Sequence, residues 1–305
     1  LINLGEFKEA IKYANEINAK NLSNFESNLI LGLNYFKKKN YSEAEMYLEK
    51  LKPEGNHHLT FSLLKTSLDT WLNISRFKDE DKNKTKLLDT IPSEYNNFKL
   101  IQETFASCYF NKIDTSQRFQ KMIDNDEYDF SRYHFFYINY LFNNNSKEEA
   151  IKAANESSKL YPRNLLINQL KTTLIDKEKN KNQFNCKNPE DILAEIVFVI
   201  ANALSSTGNY KLSNFYTNIA KYLNPNFMSF DSRLAENFLF LKKYKKSKTI
   251  YNKLEKNGSF YYWYSSKNIA SILIIEKKNE EALAFLTKRY NNIEPDLYRT
   301  YDFAN

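Results

Sequence analysis

Leu31-Gly32-Leu33-Asn34-Tyr35, followed by Tyr41-Ser42-Glu43-Ala44 and then by Leu48, Leu51 and Pro53, reads as helix, turn and helix. Gly32 is a small residue where the first helix meets the second, and Ala44 is the small contact residue of the second. Tyr35 lies one turn beyond Gly32, and Tyr41 opens the second helix. Upstream, Gly5-Glu6-Phe7-Lys8-Glu9-Ala10 repeats the second half of this unit. Phe7 to Tyr41 and Ala10 to Ala44 are both 34 residues.

The frame returns along the chain. Ile200-Ala201, Leu204, Gly208-Asn209-Tyr210, Ala220 and Pro225 form one copy. Leu234-Ala235, Phe238, Tyr244, Ser247 and Leu254 form the next, with Tyr210 to Tyr244 again 34 residues. Ile269-Ala270, Leu273, Ala282 and Leu286 follow, and Tyr137-Ile138, Leu141, Ala150, Ala154 and Pro162 make a copy in the middle. These residues resemble the tetratricopeptide repeat family, whose pattern is a Leu-Gly pair, an aromatic, then Gly-x-Tyr, Ala and Pro at fixed offsets. The resemblance implies an all-α fold, a right-handed α-α superhelical solenoid of helix-turn-helix repeats. The layout also resembles alphaproteobacterial proteins of that family with unassigned function, whose relatives are often exported.

Residues 57–128 keep helical patterns, at Leu59–Ile74, Glu94–Phe110 and Thr115–Ile123, but match the repeat poorly; Arg118 stands roughly where Ala is expected. A helix near Leu165–Ile175 precedes the polar stretch Asp176–Pro189, which is expected to be a loop or insertion. The expected organisation is an N-terminal array over 1–162, degenerate at 57–128, an irregular helix and polar loop over 163–190, and a C-terminal array over 191–305. The chain starts at Leu1 inside a repeat and ends within a helix, so it reads as a fragment. That leaves bacterial cytoplasm, periplasm and export all open.

Bulk composition agrees with stacked helices. Only 5 Gly and 6 Pro occur in 305 residues, which disfavours hairpin-rich β structure. The net charge is +7, but 37 acidic residues are interspersed with 44 basic ones. The Lys37–Lys39 and Lys242–Lys248 runs sit at turns, where cations suit helix C-termini. No apolar run reaches transmembrane length. Cys108 and Cys186 are far apart in sequence, lack metal-ligand spacing and leave the redox compartment open.

Catalytic patterns are missing. His57-His58 and His134 are the only histidines, and adjacent helix residues do not face one ligand. No phosphate loop, Gly-x-Ser-x-Gly or His-Glu-x-x-His occurs. The acid pairs Glu148-Glu149 and Glu280-Glu281 suit first turns of second helices. No cofactor or metal is expected. The aromatic runs Tyr133–Tyr140 and Phe260–Tyr264 fall on first helices, and consecutive residues circle a helix axis, so some rings should reach its open face.

In the family's architecture the first helix of each pair lines a concave groove. With the small residue turned toward the second helix, the groove should include Arg132, Phe135 and Asn139, Phe198 and Asn202, Ser232 and Glu236, and Lys267 and Ser271. Asn139 and Asn202 are equivalent by frame, and an amide there can grip a peptide backbone. Some relatives clamp a chaperone's terminal carboxylate with Lys and Asn on successive first helices. Here Lys267 is paired with Ser271 instead, so that specificity does not transfer. The reading is a non-catalytic protein- or peptide-binding scaffold. The alternatives are the substrate arm of an enzyme whose catalytic domain lies elsewhere, and a helical-repeat RNA binder. The last is disfavoured because the groove residues do not repeat as matched pairs.

Overall fold

The computed structural model describes the chain except residues 54–57, 78–81, 145 and 177–181; His57 thus lies outside the described residues. Among the described residues there are sixteen α-helices. In order they are α1 (Phe7–Ala19), α2 (Phe25–Lys37), α3 (Tyr41–Glu49), α4 (His58–Phe77), α5 (Asn96–Tyr109), α6 (Thr115–Ile123), α7 (Tyr133–Asn143) and α8 (Lys147–Leu160). Then come α9 (Leu165–Ile175), α10 (Pro189–Ser206), α11 (Tyr210–Leu223), α12 (Ser229–Phe240), α13 (Tyr244–Leu254), α14 (Ser259–Ile275), α15 (Asn279–Tyr290) and α16 (Leu297–Ala304). Among the described residues the only β feature is an isolated bridge, Asn182 to Phe227. The fold is all-α and built from helix-turn-helix repeats.

The repeat is visible in the pairs α2–α3, α7–α8, α10–α11, α12–α13 and α14–α15, each packed side by side. In four of these pairs the small residue of the second helix follows that of the first by twelve positions: Gly32 and Ala44, Ala201 and Ser213, Ala235 and Ser247, Ala270 and Ala282; in α7–α8, Ile138 stands twelve positions before Ala150. Apart from Gly32, itself in a buried stretch of α2, these residues form part of the buried interior. The approach is close enough that a Cβ on Gly32 would lie 2.6 Å from Leu48 Cδ2. Between α12 and α13 the Ser247 hydroxyl donates to the Ala235 carbonyl at 2.8 Å.

The turns repeat as well. Those of α2–α3, α10–α11, α12–α13 and α14–α15 each use one left-handed residue and two backbone bonds that close the first helix, the arrangement of a Schellman cap. The residue opening the next helix donates five positions back: Asn40 to Tyr35 at 3.0 Å, Asn209 to Leu204 at 2.9 Å, Lys243 to Phe238 at 2.8 Å and Lys278 to Leu273 at 2.9 Å. The left-handed residues are Lys39, Gly208, Lys242 and Lys277, with φ of 59°, 79°, 58° and 63°. Glycine is strain-free there; lysine costs roughly 1–2 kcal/mol, while a new glycine loses about 0.4–1 kcal/mol through the unfolded chain. Lys242→Gly is therefore expected to stabilise by roughly 0.5 kcal/mol. A lower urea midpoint for this variant would contradict that balance.

The chain divides into two compact units. One comprises residues 1–128 and 184–225, the other 129–183 and 226–305. These units are interleaved along the chain, whereas the grouping expected from sequence is into contiguous arrays. In the first unit α10 packs on α11 but also on α4 and α5, which lie far earlier in the sequence. The C-terminal end of α11 meets α1 and α2: Tyr222 stacks on Phe7 with ring centroids 4.6 Å apart, and Lys37 Nζ bonds the Tyr222 and Leu223 carbonyls. A cation capping open carbonyls complements that helix end. α10 itself starts well, with Pro189 at its first turn and Glu190 and Asp191 near its N-terminus. It is buried around most of its circumference.

In the second unit α9, from the stretch expected to be irregular, packs on α8 and α14. Asn164 caps it, accepting from Leu166 and Ile167 N–H at 3.1 Å. Its Gln169 accepts from Phe260 N–H at 3.2 Å, pinning the start of α14. Gly258 is required there: its φ is 118°, and a Cβ would come 2.1 Å from Gln169 Nε2. The expected polar loop also contributes to packing. Asn182 is buried, donates to Tyr261 Oη at 3.1 Å and accepts from Ser229 N–H at 2.8 Å. Phe184 packs against Phe105 in the first unit, with centroids 5.2 Å apart. In α6, Arg118 pairs with Asp114 at 2.7 Å while Phe119 and Met122 are buried, so the repeat's small-residue position is not at Arg118.

Candidate functional site

The nine expected groove residues are divided between the two units. Phe198 and Asn202 belong to the first unit and the other seven to the second. Three are interior. Phe135 is 0% exposed, packed on Phe136 and on Phe227 from the α11–α12 connection, with centroids 5.3 and 5.5 Å away. Asn139 is 8% exposed and Phe198 5% exposed. The groove assignment is corrected for these three, because packing covers the faces that the frame leaves open. Frame-equivalent residues also diverge: Asn202 is exposed on α10, whereas Asn139 is buried.

The others are at least partly accessible. Arg132 donates to Ser229 Oγ at 2.9 Å, and its guanidinium lies over the Phe136 and Phe227 rings at 5.7 and 5.4 Å. Ser232 bonds the Ser229 carbonyl at 2.6 Å within its own helix. Glu236 accepts from Tyr264 Oη at 2.6 Å and pairs with Arg233 at 2.9 Å. Burial, and then the Glu236 carboxylate, push the Tyr264 phenol well above its ordinary pKa, so it remains a donor. Ser271 is exposed near the C-terminal end of α14.

Lys267 is the member with a ligand-like contact. It shares a face of α14 with Trp263 and Tyr264, one turn earlier. Lys267 Nζ reaches Asp302 Oδ2 at 2.6 Å, and Trp263 Nε1 donates to the same oxygen at 3.3 Å. Arg163, in the α8–α9 connection, bonds Oδ1 at 2.7 Å. Both carboxylate oxygens are thus engaged, and the Asp302 side chain is only 12% exposed. Burial works to raise its pKa, but the bonds from Lys267 and Arg163, the Lys267 charge and Trp263 hold it below the ordinary carboxylate value. It is ionised at neutral pH.

Asp302 sits on α16, an eight-residue helix laid against this face. The Arg163 guanidinium stands 5.4 and 5.7 Å from the Tyr298 and Tyr301 ring centres of that helix. Phe303 stacks on Tyr290 of α15, with centroids 4.5 Å apart. Arg299 bonds the Glu294 carbonyl at 2.9 Å and lies over Phe260 at 4.9 Å. Of this cluster the sequence reading named only Lys267. Arg163, Trp263 and Asp302 were not named, because their partnership spans three segments with no shared motif.

No protein-family model matches the chain, and no curated protein does. Among solved structures it is similar to the TPR domain of P58(IPK), at 12% identity and a TM-score of 0.32, covering 98% of this chain and 96% of that one. Among the described residues, no cluster of three or more His, Cys, Asp or Glu could hold a metal ion. No described helix is long and apolar enough to cross a membrane.

Chemically, the arrangement holds a carboxylate of the chain between an ammonium, an indole N–H and a guanidinium, a set of charge-assisted contacts strengthened by the low exposure of Asp302. Nothing in it presents a nucleophile beside a base.

Proposed function

We propose that the chain is a non-catalytic scaffold that binds a protein or peptide segment along the accessible faces of its first helices. The observation that supports it most directly is α16: a short helical segment lies on the α14 face with its carboxylate gripped by Lys267, Trp263 and Arg163. A surface that holds a segment of its own chain this way has the chemistry to hold a foreign one. Of the residues expected to line the groove, Arg132, Ser232, Glu236, Lys267 and Ser271 remain as proposed binding residues of the second unit, and Asn202 as a separate proposed contact on α10 of the first.

Affinity capture from the source cell, followed by mapping of the bound segment, tests this reading. Asn202 is exposed, so Asn202→Ala should leave stability within about 0.5 kcal/mol and reduce partner capture several-fold. Equal capture by both forms, with equal melting, removes Asn202 from the binding surface.

A further inference from the structure

We infer that Arg163, Trp263 and Lys267 form a recognition pocket for an acidic, aromatic-flanked helical peptide, and that α16 is a built-in competitor occupying it. This rests on the scaffold reading and names the guest chemistry and its regulation. The pocket's chemistry is specified by its present occupant. Two cations and one indole N–H converge on a single carboxylate at 2.6, 2.7 and 3.3 Å. The flanking residues Tyr298, Tyr301 and Phe303 of α16 meet the Arg163 guanidinium and the Tyr290 ring. A guest matching this pattern carries Asp or Glu with an aromatic residue on either side of it and another one turn before it.

Two features mark α16 as a displaceable occupant. Only Arg299 of the helix is buried, while Leu297, Tyr298 and Tyr301 remain exposed. It also fills its site incompletely: a cleft of about 90 Å³ is left among residues that include Leu165, Phe260, Tyr264 and Tyr298. A guest with a larger apolar group beside its acid would use that space. The tether formed by Asn291–Asp296 keeps α16 nearby, at an effective concentration on the order of millimolar. Occupancy is therefore set by competition: a guest must outbind a local, imperfect ligand.

The test uses a labelled peptide spanning Glu294 to Asn305 of this chain, added to the full chain. Asp302→Asn, nearly isosteric, should loosen the internal contact while leaving the pocket intact. This variant is expected to bind the peptide at least ten-fold more tightly than the unsubstituted chain. Adding Lys267→Ala to it should return binding to the starting level, and a peptide carrying Asn in place of its Asp302 equivalent should not bind. Saturating peptide should also speed amide hydrogen exchange across Leu297–Ala304 of the unsubstituted chain, a readout that needs no substitution. Equal binding by the Asp302→Asn and unsubstituted chains, no binding to Asp302→Asn up to about 1 mM, the range set by the tether, or indifference to Lys267→Ala overturns the inference. If peptide exchange fails but cellular capture persists in the Lys267→Ala chain, the scaffold reading survives and the pocket does not. Exchange without any captured partner has the opposite meaning.

Discussion

Ala44→Lys is expected to destabilise the first unit by about 3–5 kcal/mol, the range for a charged, oversized side chain forced into a packed contact. Ala44 is 0% exposed on α3, at the position where α2 and α3 come closest. The space is already spoken for: a Cβ on Gly32 would sit 3.5 Å from the Ala44 carbonyl and 2.6 Å from Leu48 Cδ2. Leu48 and Tyr47 of the same helix are buried, so α3 cannot roll to release a lysine stem without withdrawing them. Glu49→Lys is the matched control. It places the same side chain on the same helix at an exposed position, where a cation near the C-terminal end is neutral to slightly favourable. Urea unfolding of the two variants reads the difference directly. Similar midpoints would mean that the α2–α3 contact does not have the geometry the repeat requires.

That contact also explains what the sequence revealed and what it hid. Small residues recur because two helix backbones can approach only where side chains are small, so Gly32, Ala44, Ala235 and Ser247 announce themselves by spacing alone. The helices at Thr115–Ile123 and Leu165–Ile175 were legible for the same local reason, periodic apolar residues between breakers. The groove was legible only in part. Reading it from the frame assumes that each pair touches its sequence neighbours and leaves one face open. Phe198 fails that assumption because α10 also meets α4 and α5. Phe135 fails it because Phe227, from a connecting segment outside the repeat frame, packs on its ring. Lys267 was named because the frame places it on the inward face of α14; its carboxylate partner is 35 residues away on α16. Contacts made between elements distant in sequence have no periodic signature, and they decide which rings are buried and which reach a guest.

The pairing of the two cysteines is a third such contact, and its loss is the other large effect expected. Cys108, at the end of α5, and Cys186, before α10, form a disulfide with Cα atoms 5.9 Å apart across 78 residues of sequence, a separation suited to the bond. Spacing gave no hint of it, because nothing local links the two positions. Lys187 strengthens the same junction: its Nζ bonds the Cys108 and Tyr109 carbonyls, closing the C-terminal end of α5. In the chain-entropy account, closing a loop of this length stabilises by about 4–5 kcal/mol at 25 °C. For a unit of this size that corresponds to roughly 10 °C in Tm. Cys108→Ala with Cys186→Ala is expected to melt about that far below the oxidised chain, and the reduced chain should melt near the double variant. Identical melting of oxidised and reduced protein would show that the bond contributes nothing. The same chemistry carries information on compartment, since such bonds persist where the environment is oxidising. Alkylation of freshly lysed cells distinguishes the cases: two labelled thiols place the chain among reduced proteins, and a protected pair places it in an oxidising compartment where α10 is tied to α5 throughout its working life.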